Sequence, residues 1–107
     1  MNLFKSIFGT KDQQKTEWPF EAPRDVAVFT TVQIMSQRMP ILHVSHDEDD
    51  GAWQFHTGGD SQESDARILS LEEITKIDPT ILELADLPEG WVADRSQVGD
   101  EWTRSKN

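Results

Sequence analysis

The chain has no cysteine and no tyrosine. Without thiols there is no disulfide framework and no thiolate metal site, which suits a reducing compartment. Cations are also scarce: ten Lys and Arg stand against twenty Asp and Glu, for a net charge of −10. Nucleic-acid affinity comes from clustered cations that release counterions, so nucleic acid is excluded as an expected partner. An anionic membrane surface is disfavoured for the same reason. No apolar run approaches the roughly 20 residues that a spanning helix needs, so no integral membrane segment is expected. The stretch Met1–Gly9 is too short and too interrupted for a secretory signal. The expected location is therefore the cytoplasm, of bacterial type.

Catalytic signatures are missing as well. There is no Gly-x-Ser-x-Gly elbow, and no serine stands at a diagnostic spacing from His and Asp. Gly58-Gly59 is followed by no lysine, and the nearby Asp60, Glu63 and Asp65 would repel phosphate. No enzyme activity and no cofactor are expected.

What is present is enough for a core. The 107 residues are 36% apolar and include four Trp and five Phe, which fits one small domain. Charge divides the chain. In residues 1–25, Lys5, Lys11, Lys15 and Arg24 cancel Asp12, Glu17, Glu21 and Asp25, so all ten net negative charges fall in residues 26–107. Residues 1–25 read as an N-terminal arm and residues 26–107 as a single domain. In the arm, Leu3, Phe4, Ile7 and Phe8 make one face of a short helix ended by Gly9. A polar linker follows, then Trp18-Pro19-Phe20 and Ala22-Pro23, which force an extended path and could staple it to the domain.

In the domain, Val26–Thr31 is β-branched and reads as a strand, and Val32–Arg38 as a turn or one short helix stopped by Pro40. Ile41–His46 and Ala52–His56 read as two strands joined by Asp47-Glu48-Asp49-Asp50-Gly51, where Asp-Gly is a strong hairpin signal. Arg67–Leu69 is a short strand. Ser70 and Glu73 fit a capping box, with Leu71, Ile74 and Ile77 at helical spacing behind it. Asp78-Pro79 starts a second helix pattern through Leu87. Trp91–Ala93 and Glu101–Arg104 are final strands. The expected class is α+β: a small antiparallel or mixed sheet with two short consecutive helices packed on one side.

The hairpin is where chemistry is most readable. Leu42, Val44, Trp53 and Phe55 belong on the buried face, because the other register exposes two aromatics. His43, Ser45, Gln54 and His56 then share the open face, and pairing Val44 with Phe55 sets His43 across from His56. Two imidazoles so placed could ligate a metal with help from a carboxylate, although spacing fixes no third ligand. His46 sits at the strand end, where a hydrogen-bonded boundary residue is commoner than a general base. The tip is no EF-hand: Gly51 arrives one residue early and Thr57 stands where the glutamate belongs. Residues 47–65 nonetheless hold Asp47, Glu48, Asp49, Asp50, Asp60, Glu63 and Asp65 and no Lys or Arg, the expected surface for a basic protein partner.

Asp49-Asp50-Gly51-Ala52-Trp53-Gln54-Phe55, Gly58 or Gly59, Ser70-Leu71, Ile74, Asp78-Pro79, Ile81, Leu84, Pro88 and Gly90 together resemble a small bacterial family of unknown function. Some of its members are described as immunity proteins of polymorphic toxin systems. The likeness covers about residues 27–95 and leaves out the arm. The family pattern has Asp-Ser-Gly-Trp at the turn, whereas here Ala52 intervenes between Gly51 and Trp53. The family carries no established catalytic residues, so the resemblance implies a fold and a binding role. The expected function is a non-enzymatic protein-binding module, immunity-like in the family's terms. The alternative is a metal- or small-ligand-binding domain that uses His43, His56 and nearby carboxylates.

Overall fold

The computed structural model describes residues 18–107. Six strands form one sheet: β1 Ala27–Thr31, β2 His43–His46, β3 Trp53–His56, β4 Ala66–Ser70, β5 Trp91–Asp94 and β6 Thr103–Lys106. Helix α1 (Val32–Met35) follows β1, and α2 (Leu71–Ile77) follows β4. Two 3₁₀ helices, Glu63–Asp65 and Pro79–Leu84, complete the elements of the described residues. The strand order is β4-β1-β3-β2-β5-β6. Neighbours are antiparallel except β1 and β3, which run parallel. The fold is α+β, with a mixed sheet.

One face of the sheet is covered. Val28, Val44, Trp53, Phe55 and Ala93 join Leu71, Ile74, Ile81, Leu84 and Leu87 in a single buried cluster. Phe29 and Ile68, a cross-strand pair pointing the other way, stay 42% and 64% exposed. Period-two alternation therefore sorts the strands into a core face and an open face.

Local chemistry sets the element ends. Ser70 Oγ accepts from the Glu73 N–H at 3.1 Å, and the Glu73 carboxylate accepts from the Ser70 N–H at 2.9 Å, so the capping box closes both ways. Asp78 Oδ1 accepts from the Thr80 N–H at 3.0 Å and Pro79 opens the following helix. That helix is 3₁₀ rather than α, its six residues held between Asp78 and Ala85.

The hairpin register is His43–His56, Val44–Phe55, Ser45–Gln54 and His46–Trp53, as the apolar alternation requires. Leu42 departs from expectation. It is half-buried and outside the core cluster, while Ile41 is 1% exposed and takes the inward place. The Leu42 N–H donates to the His56 carbonyl, so Leu42 and His43 both oppose His56. Two residues facing one is a bulge, and it slips the alternation by a residue.

The described part of the arm packs on the domain. The Phe20 ring, 6% exposed, meets Trp53 edge-on at 5.3 Å. Trp18 leans on Phe20, bonds the Ala22 carbonyl through Nε1 at 2.7 Å and lies under the Arg24 guanidinium. The helix expected around Leu3–Phe8 and the polar linker after it lie outside the described residues.

Candidate functional site

The seven carboxylates of residues 47–65 do not form one patch. The turn Glu48–Gly51 precedes β3, whereas Asp60, Glu63 and Asp65 follow it. Ala66 pairs with Thr31 at the far end of β1, which runs parallel to β3, so Asp65 lies at the His56 end of the sheet. The two groups are separated by the length of the four-residue strand β3, roughly 13 Å at about 3.3 Å per residue. Three of the seven accept internal hydrogen bonds, Asp50 only from the nearby Ala52 N–H at 3.0 Å within the turn. Asp47 accepts from Ser45 Oγ at 3.0 Å and Gln54 Nε2 at 2.6 Å. Asp65 accepts from Gln33 Nε2 at 3.1 Å and the Gln62 N–H at 3.2 Å, and the Gln33 bond most of all holds its carboxyl below the usual range.

At the turn end other acidic side chains join. Gly51 sits at φ 73°, where a β-carbon would come within 3.0 Å of Glu89 Oε2. A β-carbon on Gly90 would lie 3.5 Å from Glu48 Oε1. Glu48, Asp49, Asp50 and Glu89 are therefore neighbours. Beside them opens a cleft of about 950 Å³ between residues 19–22 and residues 82–89. Phe20, Trp53, Leu82, Leu87 and Pro88 give it apolar walls, and Glu21, Glu83, Asp86 and Glu89 give it an acidic rim. Asp86 is paired with Arg104 at 2.8 Å, which holds its carboxyl below the usual range. Among the described residues, no ion pair engages Glu21, Glu48, Asp49, Asp50, Glu83 or Glu89. The arrangement suits a ligand that carries positive charge next to an apolar group.

His46 lies in this cleft, stacked on Trp53 at 4.0 Å. Its Nδ1 is 2.7 Å from the Leu87 carbonyl. A carbonyl only accepts, so the proton is on Nδ1 and the ring is fixed in place as a boundary residue.

On the open face, His43 and His56 are directly opposed, with ring centroids 6.2 Å apart. His43 Nδ1 meets Asp94 Oδ1 at 2.6 Å, and His56 Nε2 meets Gln54 Oε1 at 2.9 Å. Burial pushes the His56 pKa down, the neighbouring His43 lowers it further, and Asp47 partly offsets both. Among the described residues, no group of three or more His, Asp or Glu side chains is arranged to hold a metal ion.

Two features of this geometry were not legible beforehand. The rim carboxylates Glu21, Glu83 and Glu89 are far apart in sequence and meet only through folding. Arg95, within a polar run that reads as a loop, is a buried clasp. Its Nε and Nη2 donate to the Ile41 carbonyl at 3.1 and 2.9 Å, and Nη2 also reaches Asp78 Oδ2 at 2.6 Å. No protein-family model, curated protein or solved structure matches the chain. Among the described residues, no helix is long and apolar enough to cross a membrane.

Proposed function

We propose that this chain is a non-enzymatic protein-binding module of the cytoplasm that holds a partner with a basic surface at the turn end of its sheet. The observation that supports the reading is a group of six carboxylates that have no ion-pair partner among the described residues: Glu21, Glu83 and Glu89 line the apolar cleft, and Glu48, Asp49 and Asp50 lie on the turn beside it. Uncompensated charge of one sign beside apolar walls gives a basic partner both steering and buried contact. The resemblance implies the specific form: an immunity protein whose partner is a toxin domain with a basic surface. The carboxylates at the other end of β3, Asp60 and Glu63, then serve as internal controls.

The test is affinity capture from the native host at low and high salt, followed by binding measurements with the purified partner. Reversing Glu48, Asp49 and Glu89 to Lys should weaken binding at least tenfold and flatten its salt dependence. Reversing Asp60 and Glu63 should change it little. A partner indifferent to the first set, or one bound equally at low and high salt, refutes the reading.

A further inference from the structure

We infer that the acidic cleft is the docking site of this chain's own N-terminal segment, with Leu3, Phe4, Ile7 and Phe8 against its apolar walls and the segment's lysines at its rim. Residues 1–17 lie outside the described residues, but the place where they join the domain is described. Residues 19–22 form one wall of the cleft. That wall is held in place: Phe20 is buried and meets Trp53 edge-on at 5.3 Å, while Trp18 packs on Phe20 and bonds the Ala22 carbonyl. The preceding chain therefore starts at the lip of the cleft.

Charge, apolar content and reach all select this segment as the occupant. Residues 1–17 hold Lys5, Lys11 and Lys15 against Asp12 and Glu17, a net charge of +1, so residues 18–107 carry −11. The cleft meets them with Glu21, Glu83 and Glu89, which have no ion-pair partner among the described residues. Its walls of Phe20, Trp53, Leu82, Leu87 and Pro88 call for an apolar group that displaces water. Leu3, Phe4, Ile7 and Phe8 supply one at helical spacing, and a helix that short gains its stability from packing on something else. Ten peptide steps separate Phe8 from Trp18, up to about 33–36 Å of chain, which is ample for a cleft of about 950 Å³. A short tether also raises the local concentration of the segment to roughly the millimolar range, so weak contacts suffice. The competing apolar surfaces fit less well. Phe29 and Ile68 lie on the open face of the sheet, away from the wall that the segment joins. The hollow beside Met39, Pro40 and Ile77 presents Arg38, which would repel lysines. One consequence rests on the function proposed above: the arm is then a tethered competitor that a basic partner must displace.

The chain has no cysteine, so Ser6→Cys, on the opposite side of the helical wheel from the four apolar residues, accepts a single nitroxide label in the full chain. In amide NMR at low salt, Gly51, Leu82, Glu83, Leu87 and Glu89 should lose most of their intensity, and Phe29, His43 and Ile68 should keep theirs. Phe4→Glu with Phe8→Glu should restore the lost intensity without changing the circular dichroism of the domain. Loss centred elsewhere, loss spread evenly over the surface, or loss that survives the double variant overturns the proposal. So does loss in a mixture of nitroxide-bearing and isotope-bearing copies, because the occupant would then be a second copy. With the captured partner, the double variant should tighten binding by about tenfold where the arm fills the cleft in about nine-tenths of the molecules. The expected intensity loss with an unchanged partner affinity upholds the docking and refutes the cleft as the partner's site.

Discussion

Replacing Arg95 by Met should cost this fold more than any surface ion pair could. The Arg95 side chain is 1% exposed and that of Asp78 is 14% exposed. Besides Asp78 and the Ile41 carbonyl, the guanidinium donates to Thr80 Oγ1 at 3.0 Å and lies 4.1 Å from the centre of the Trp102 ring. Methionine keeps much of the stem's packing but removes every donor. A largely buried carboxylate and a buried carbonyl are then left short of hydrogen bonds, at about 1–3 kcal/mol for the neutral group and more for the charged one. Removal of one member of a buried pair typically costs about 3–5 kcal/mol. Against a total stability of about 5–15 kcal/mol, that is a large fraction. At roughly 4 °C or more per kcal/mol, the midpoint should fall by at least about 12 °C. Urea unfolding followed by tryptophan emission measures it, and Trp102 under the guanidinium should also report the native-state change. The loss should persist in molar salt, because a buried pair is poorly screened. Asp78→Asn keeps the Oδ1 cap on Thr80, so a double-mutant cycle isolates the charge pair. A loss below about 1 kcal/mol, the value of an exposed pair, would refute the clasp.

Phe55→Ala should cost about 3–5 kcal/mol in the same assay, since Phe55 is fully buried and its backbone carbonyl also takes the Thr30 hydroxyl at 3.0 Å; a loss under about 1.5 kcal/mol would mean the core face is wrongly drawn. For Glu73, the Ser70 N–H and hydroxyl hold the carboxyl below its ordinary value of 4.5. The folded pKa is depressed, so this contribution is complete above the unfolded value and is lost as pH falls through the folded one. Thermal melts of Glu73→Ala against the parent should therefore differ most near neutral pH and converge as the pH falls through the depressed folded value; a gap that widens on acidification contradicts the capping box.

The contrast between the hairpin and the acidic surface shows what a linear reading can reach. The turn at Asp50-Gly51 and the alternation of Val44, Trp53 and Phe55 are local, and together they force the His43–His56 pairing, because a one-residue slip would turn the aromatics to water. The bulge at Leu42 was hidden because Ile41 and Leu42 are equally apolar, and only packing decides which goes in. The position of β3 between β1 and β2 was hidden for a different reason: parallel pairing with β1 is a non-local choice, and the bond from the buried Thr30 hydroxyl to the Phe55 carbonyl across that seam is not readable along the chain. That one choice divides the acidic residues. Chain continuity from Asp47 to Asp65 looks like a single charged segment until β3 is recognised as a strand crossing the sheet, after which its two flanks must lie at opposite ends. Charge counted along a sequence locates a surface only within one turn or one helix face. Across a strand it reports composition, and the surface has to be found from the topology. Here topology pairs the hairpin tip with Glu89, Glu83 and Glu21, so the functional test belongs on those residues and the controls on Asp60 and Glu63.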